Sequence, residues 1–338
     1  REENELSQAF TAYNTRIVAP PHGSMLPMSP VRKNILMVAC ALGLLIPVVI
    51  IFICENMNTR VRGRKDLESV TVPFIGEIPL FTRKKKGIFR KKPQEVRAIV
   101  VKEGSRDIIN EAFRVLRTNL EFMTGKDKAS NVIIVTSFNP GSGKSFLTMN
   151  IAVSFAIKGK KVLVIDGDLR HGSASSYIDS PTKGLSDYLG GRIDNLNEII
   201  VTNPKQKYLD ILPVGTIPPN PTELLFDDRL KQVIDTVREQ YEYVLIDCPP
   251  IELVADTQII EKLADRTIFV VRAGLLELSM LAELEKIYGE KKYKNMSLIL
   301  NGTEGSGGRY GYRYGYRYGY HYGYGSEYHY GSDEKYIE

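Results

Sequence analysis

The sequence predicts an α/β fold: a mostly parallel sheet with helices on both faces, preceded by one transmembrane helix and followed by a disordered tyrosine-rich tail. Three observations carry this reading. Apolar strand-like runs alternate with helical patterns from Val132 onward. Residues 35–54 carry no charged side chain, and eleven of the nineteen tyrosines fall between Tyr310 and Tyr336. The net charge of +5 is modest, so its distribution matters more than its total.

The N-terminal stretch 1–34 is proline-rich near its end (Pro20, Pro21, Pro27, Pro30), and the chain begins with Arg1, so it is read as a fragment or processed product. The run 35–54 matches the roughly 20 residues needed to cross a hydrocarbon core, and Pro47 within it is tolerated in lipid. It is too long for a cleavable signal and lacks a small-residue cleavage site. Arg60, Arg62, Arg64, Lys65 and the basic run 83–92 follow it, against Arg32 and Lys33 before it. The positive-inside rule therefore puts everything after Cys54 in the cytoplasm. Residues 55–98 read as a basic juxtamembrane linker able to meet anionic lipid, at about 1 kcal/mol per charge.

Within 99–302, strands are expected at 132–135, 162–165, 209–212, 244–246, 267–271 and 297–300, and helices near 144–157, 222–240 and 277–290. Continuous apolar strands alternating with helices imply a sheet covered on both faces, with ligands beyond the carboxyl ends of the strands. After the first of these strands comes Ser137-Phe138-Asn139-Pro140-Gly141-Ser142-Gly143-Lys144-Ser145, leading into Phe146 and a helix. A strand entering a glycine-rich turn that ends Gly-Lys-Ser is a phosphate-binding loop: the backbone from Pro140 to Phe146 surrounds the phosphates, with N–H groups from Gly141 onward, Lys144 adds a point charge and Ser145 can ligate Mg²⁺. The domain is thus of the P-loop NTPase type. Phe138 replaces the usual first glycine, and Asn139 stands where one P-loop branch carries a second lysine.

Two further strands end in carboxylates: Asp166-Gly167-Asp168-Leu169-Arg170, and Asp247-Cys248-Pro249-Pro250. A carboxylate there can hold Mg²⁺ directly or through water, and another can accept a proton from an attacking hydroxyl. Spacing alone leaves open whether Asp166 or Asp168 is that base. The cysteines (Cys40, Cys54, Cys248) suggest no disulfide framework. The four histidines show no zinc spacing, and His171 reads as solvated.

The loop 137–145, Asp166-x-Asp168-x-Arg170 and Asp247-x-Pro249-Pro250 resemble the three Walker-type motifs of bacterial tyrosine kinases. The segments 184–189, 215–221 and 73–79 are similar to connecting and linker segments of that family. Residues 1–54 resemble the end of a polysaccharide co-polymerase module. The resemblance implies an autokinase using ATP and Mg²⁺, with Lys144 on the phosphates, Ser145, Asp166 and Asp247 around the metal, and Asp166 or Asp168 activating a tyrosine. By analogy with related P-loop ATPases, Asn301 is expected near the adenine.

The tail 303–338 contains no aliphatic core and is expected to be disordered. Alternating Tyr and Arg there can stack on single-stranded nucleic acid, but beside a triphosphate site the tyrosines read as phosphate acceptors, and nucleic-acid binding is not expected. The candidates are Tyr310, Tyr312, Tyr314, Tyr316, Tyr318, Tyr320, Tyr322, Tyr324, Tyr328, Tyr330 and Tyr336. Each phosphate adds about −1.5 to −2 charges. Glu111, Arg114 and Arg117 share a helix face. They resemble the family's Glu-x-x-Arg-x-x-Arg ring motif, although solvated ion pairing explains them on residue chemistry alone. The expected setting is the bacterial inner membrane, in a self-associated ring, with a tyrosine phosphatase and polysaccharide export machinery as partners. The rival reading is a membrane-bound partitioning-type ATPase. A third is a scaffold whose tail recruits RNA or protein.

Overall fold

The computed structural model describes residue 23 and residues 31–56, 58–81, 98–124, 132–203, 206–251 and 255–304. The chain divides into two units, Arg1–Asn58 and Thr59–Glu338. The tail tyrosines and the basic run 83–92 lie outside the described residues.

The first unit contains α1 (Arg32–Asn56), which runs through Pro47 without interruption. At 1.5 Å per residue its 25 residues extend about 37 Å, more than a hydrocarbon core. Its span Arg32–Ile53 has a mean hydropathy of 3.0 and buries none of its side chains within the chain. Length and composition thus suit a membrane crossing, as the uncharged run predicted.

Among the described residues, the second unit is built on eight strands: β1 (Phe74–Pro79), β2 (Val132–Thr136), β3 (Val162–Asp166), β4 (Val201–Thr202), β5 (Leu209–Leu212), β6 (Tyr243–Asp247), β7 (Arg266–Arg272) and β8 (Ser297–Thr303). They lie in the order β1-β8-β7-β2-β6-β3-β5-β4. All pairings are parallel except that of the short edge strand β4 with β5. The helices are α2 (Ile108–Thr124), α3 (Lys144–Ala156), α4 (Leu185–Leu189), α5 (Pro221–Leu225), α6 (Asp228–Gln240), α7 (Asp256–Glu261) and α8 (Met280–Gly289).

The continuous apolar strands have the two-faced burial their composition implies. In β3, Leu163 and Ile165 join the core shared with α6 and α8, while Val162 and Val164 join the core shared with α2 and α3. The strand expectations hold to within a residue at each end, except that β8 runs three residues further, to Thr303. The helix expected at 222–240 is two helices: Asp227 accepts a hydrogen bond from the Arg229 N–H at 2.8 Å and caps a new start for α6. The expected linker 55–98 needs a larger correction. Val61, Leu67, Val72, Ile75 and Ile78 are buried, and β1 extends the sheet by pairing with β8. Pro73, Gly76 and Pro79 punctuate that apolar stretch and hid the strand.

Two buried asparagines fasten the chain ahead of α2 to the domain. Asn150 Oδ1 accepts from the Val100 and Val101 N–H groups at 2.8 and 3.1 Å, and its Nδ2 donates to the Phe146 and Ala98 carbonyls. Asn110 Oδ1 accepts from Lys102 N–H at 2.7 Å. Each buried backbone group left without a partner costs about 1–3 kcal/mol. Asn150→Ala is therefore expected to lower the unfolding free energy by more than about 2 kcal/mol in denaturant titration. A change below about 0.5 kcal/mol would show that this segment is not held as described.

Candidate active site

The loops after β2, β3 and β6 and the end of β8 all leave the same edge of the parallel sheet, so four distant segments of sequence meet there. After β2 the chain turns through Gly141 (φ 75°) and Gly143 (φ 87°), which is the residue preceding α3. A Cβ at Gly143 would collide with the Asn301 amide, so two reasons require glycine there. The Ser137 and Ser142 hydroxyls both donate to the Asn139 carbonyl at 2.8 Å, and Asn301 Nδ2 donates to the Ser142 carbonyl at 2.8 Å. Asn301, at the end of β8, thus braces the loop through its amide nitrogen. Phe138 is buried and meets Phe269 edge-to-face at 4.9 Å, so the residue that departs from the usual loop pattern anchors the loop in the core.

Pro140 and Gly141 are exposed, Ser142 and Lys144 buried, and Gly143 and Ser145 half-buried. Lys144 opens α3, where the helix N–H groups and macrodipole favour an anion. Phe146 turns its ring inward to Phe113, at 6.0 Å, so only its backbone is available to a ligand.

The carboxylates are brought together by sheet register: Asp166 and Asp247 are direct partners at the ends of β3 and β6. Both are completely or almost completely buried. Asp166 Oδ2 accepts from the Ser175 N–H at 2.6 Å and its hydroxyl at 2.7 Å. Asp166 Oδ1 and both oxygens of Asp247 have no hydrogen-bond partner. Burial raises the Asp166 pKa against the pull of the Ser175 bonds. Burial, then the charge of Asp166, raises that of Asp247, with Ser145 and Lys144 opposing.

Three buried, unpartnered carboxylate oxygens beside the Ser145 hydroxyl form an all-oxygen donor set. That suits Mg²⁺, which usually takes one or two carboxylates and leaves its other positions to water and phosphate. The residues present therefore fit the Mg²⁺-nucleotide group that a P-loop implies.

Asp168 lies at the rim, with a small part of its side chain exposed. It accepts from the backbone N–H groups of Arg170 and His171 at 3.2 Å, and His171 Nδ1 lies 3.2 Å from each of its oxygens. His171, expected to be solvated, has a largely exposed ring that also touches a candidate catalytic carboxylate. Arg170 donates to Asp256 at 3.2 Å and to Thr222 at 2.9 Å, and Thr222 donates to Asp256 at 2.6 Å. This ties the Asp168 loop to α5 and α7. No spacing in the sequence pointed to Ser175, Thr222 or Asp256.

The structure separates the three residues expected at a ring interface. Glu111 and Arg114 pair at 2.5 Å on the exposed side of α2. Arg117 is buried and donates to the Ser154 carbonyl of α3 at 3.0 Å, so in this chain it ties two helices together.

The raised carboxylate values carry a stability consequence. The folded state holds these protons more tightly than the unfolded one, so the contribution is full below the ordinary carboxyl pKa of about 3.9 and is lost as pH rises through the raised folded values. Asp247→Asn is expected to leave Tm nearly unchanged at pH 3.5, below the ordinary carboxyl pKa. At pH 8, without nucleotide, it should raise Tm by about 2–4 °C per kcal/mol relieved. A variant less stable than the parent at pH 8 would contradict the buried-charge assignment.

A family model described as an AAA domain (AAA_31) matches residues 130–298. The chain is 32% identical over 299 residues to the putative tyrosine-protein kinase AmsA of Erwinia amylovora, an alignment covering 85% of this chain and 40% of AmsA. It is 35% identical over 209 residues to the tyrosine-protein kinase YwqD of Bacillus subtilis, covering 62% of this chain and 87% of YwqD. The chain therefore spans about two fifths of the length of the first of these relatives and most of the second. Among solved structures, the kinase domain of the Escherichia coli tyrosine kinase ETK superposes with a TM-score of 0.63 at 29% identity, covering 78% of this chain and all of that domain. The sheet, the P-loop, the paired carboxylates and these similarities lead to one conclusion: the chain belongs to the bacterial tyrosine kinase family, with its P-loop kinase domain C-terminal to the apolar helix.

Proposed function

We propose that the chain is a membrane-anchored protein-tyrosine autokinase that transfers the γ-phosphoryl group of ATP to tail tyrosines of a neighbouring copy. One observation carries the reading: Asp166 and Asp247 present three unpartnered oxygens beside Lys144 and Ser145, in a chain that matches the whole ETK kinase domain. Bound Mg²⁺ would neutralise charge on the β- and γ-phosphates. The chain's own residues then have separate tasks. The loop amides and the α3 N-terminus orient the phosphates. Lys144 places a positive charge against the transferring group, and Asp166, Asp247 and Ser145 would hold the cation.

Asp168 is the better candidate for the base. Asp166 is sealed from solvent with one oxygen committed to Ser175, whereas Asp168 is partly open at the rim, where an incoming tyrosine hydroxyl can reach it. It would take the hydroxyl proton as the phenolic oxygen attacks in line. Arg170 and His171 would hold that carboxylate in place.

A tail reaching a neighbour's site implies a self-associated ring, for which the exposed Glu111 and Arg114 are candidate contacts. Phosphorylation would turn the tail into a polyanion repelled by the acidic site. Similarity to a putative tyrosine-protein kinase of the cps region in Klebsiella pneumoniae supports a role in capsule or exopolysaccharide polymerisation and export. The bacterial inner membrane, a tyrosine phosphatase and the export machinery complete the proposed setting.

The test mixes the full-length Lys144→Met variant with an active chain truncated after residue 303, in detergent with ATP and Mg²⁺. The expected result by intact mass is a ladder of phosphates on the full-length variant, mapping to Tyr310–Tyr336. ATP hydrolysis without any mass shift would instead support a partitioning-type ATPase.

A further inference from the structure

Ser175 lies outside every motif in the sequence, yet it makes two hydrogen bonds to Asp166. Its hydroxyl also accepts from the Val214 N–H at 2.9 Å. A hydroxyl has one proton to give, and with Val214 occupying a lone pair that proton points to Asp166 Oδ2. With the Ser175 N–H on the same oxygen, Oδ2 is committed and Oδ1 is left as the oxygen without a partner.

Val214 is itself immobilised by two segments that the active-site chemistry otherwise leaves unused. The Leu185 N–H donates to the Pro213 carbonyl at 2.8 Å, and the Ser186 N–H donates to the Val214 carbonyl at 2.9 Å. Asp187 Oδ2 accepts from the Gly184 and Thr216 N–H groups at 3.0 and 3.1 Å. Gly184 and Gly215 (φ 80°) face each other so closely that a Cβ on either would strike the opposite backbone. A backbone clasp between residues 184–187 and 213–216 therefore leads through Val214 and Ser175 to one oxygen of Asp166.

We infer that Ser175 is a positioning residue for the metal site, fixing by its hydroxyl which oxygen of Asp166 is offered to the cation and so favouring Mg²⁺ over a less demanding divalent ion. The inference rests on the reading of the site as a Mg²⁺-nucleotide site. Mg²⁺ requires near-octahedral ligands at short distance, whereas Ca²⁺ accepts looser and more variable geometry. A carboxylate free to rotate penalises the first ion more than the second. Partners that orient metal ligands are typically worth about 10–100-fold in metal affinity.

The experiment measures ADP affinity of the full chain in detergent by calorimetry, with Mg²⁺, with Ca²⁺ and with EDTA, for the parent, Ser175→Ala and Ser175→Thr. The expected result is that Ser175→Ala loses about tenfold of the Mg²⁺-dependent tightening. Its affinity in EDTA should stay unchanged, its Ca²⁺-supported affinity should change far less, and Ser175→Thr should restore the parent pattern. Ser175→Ala with the parent's Mg²⁺ increment would overturn the inference. An equal loss in EDTA, or no rescue by threonine, would also overturn it by showing a general structural role. If the parent shows no Mg²⁺ effect at all, the metal-site reading itself fails, a result distinct from a parent effect that survives in Ser175→Ala.

Discussion

Two carboxylates buried side by side, with three of their four oxygens lacking hydrogen bonds, are the constraint on which the rest of the structure depends. A carboxylate in a low-dielectric interior is unfavourable unless paired or coordinated, and a second one beside it adds repulsion. Sheet register puts Asp166 against Asp247 and allows neither to turn away. The arrangement is reasonable only if the deficit is met by something that arrives from outside, and a divalent cation with phosphates does so. Local instability is thereby stored at the functional edge of an otherwise apolar, two-faced core.

The surrounding structure limits how far that edge can relax. The phosphate loop is stitched by the Ser137 and Ser142 hydroxyls and by Asn301, and is anchored below by Phe138 against Phe269. The Thr136 hydroxyl and the Thr257 hydroxyl both donate to the Pro249 carbonyl, at 2.9 and 2.8 Å, fixing the turn that follows Asp247. On the other side, Arg170, Thr222 and Asp256 hold the loop that carries Asp168. Pre-organisation of this kind lets binding energy be used on the transition state instead of on ordering the site.

Much of this was legible in the sequence, and the reasons it was or was not are physical. Buried parallel strands are uniform apolar runs, so β2, β3, β5, β6, β7 and β8 showed themselves directly. Gly-Lys-Ser after a strand and aspartates at strand ends are local signals, and both landed at one sheet edge. Strand β1 was obscured because Pro73, Gly76 and Pro79 punctuate its apolar stretch, and such residues ordinarily mark turns rather than strands. The division of 222–240 depended on Asp227 acting as a cap inside a pattern that otherwise reads as one helix. Ser175 and Val214 are 39 residues apart, and only folding makes them partners, so no spacing rule reveals them. Arg117 illustrates the same limit: its helical phase matches Arg114, but tertiary packing buries one and exposes the other.

The central claim is that Ser145, Asp166 and Asp247 converge on one divalent cation. The most direct test is anomalous diffraction from crystals grown with Mn²⁺, as a substitute for Mg²⁺, and a non-hydrolysable ATP analogue. The account predicts one strong peak between the Ser145 hydroxyl, Asp166 Oδ1 and the Asp247 carboxylate, with Asp166 Oδ2 still bonded to Ser175. A peak elsewhere, or a nucleotide bound with both carboxylates turned from an empty position, would contradict it.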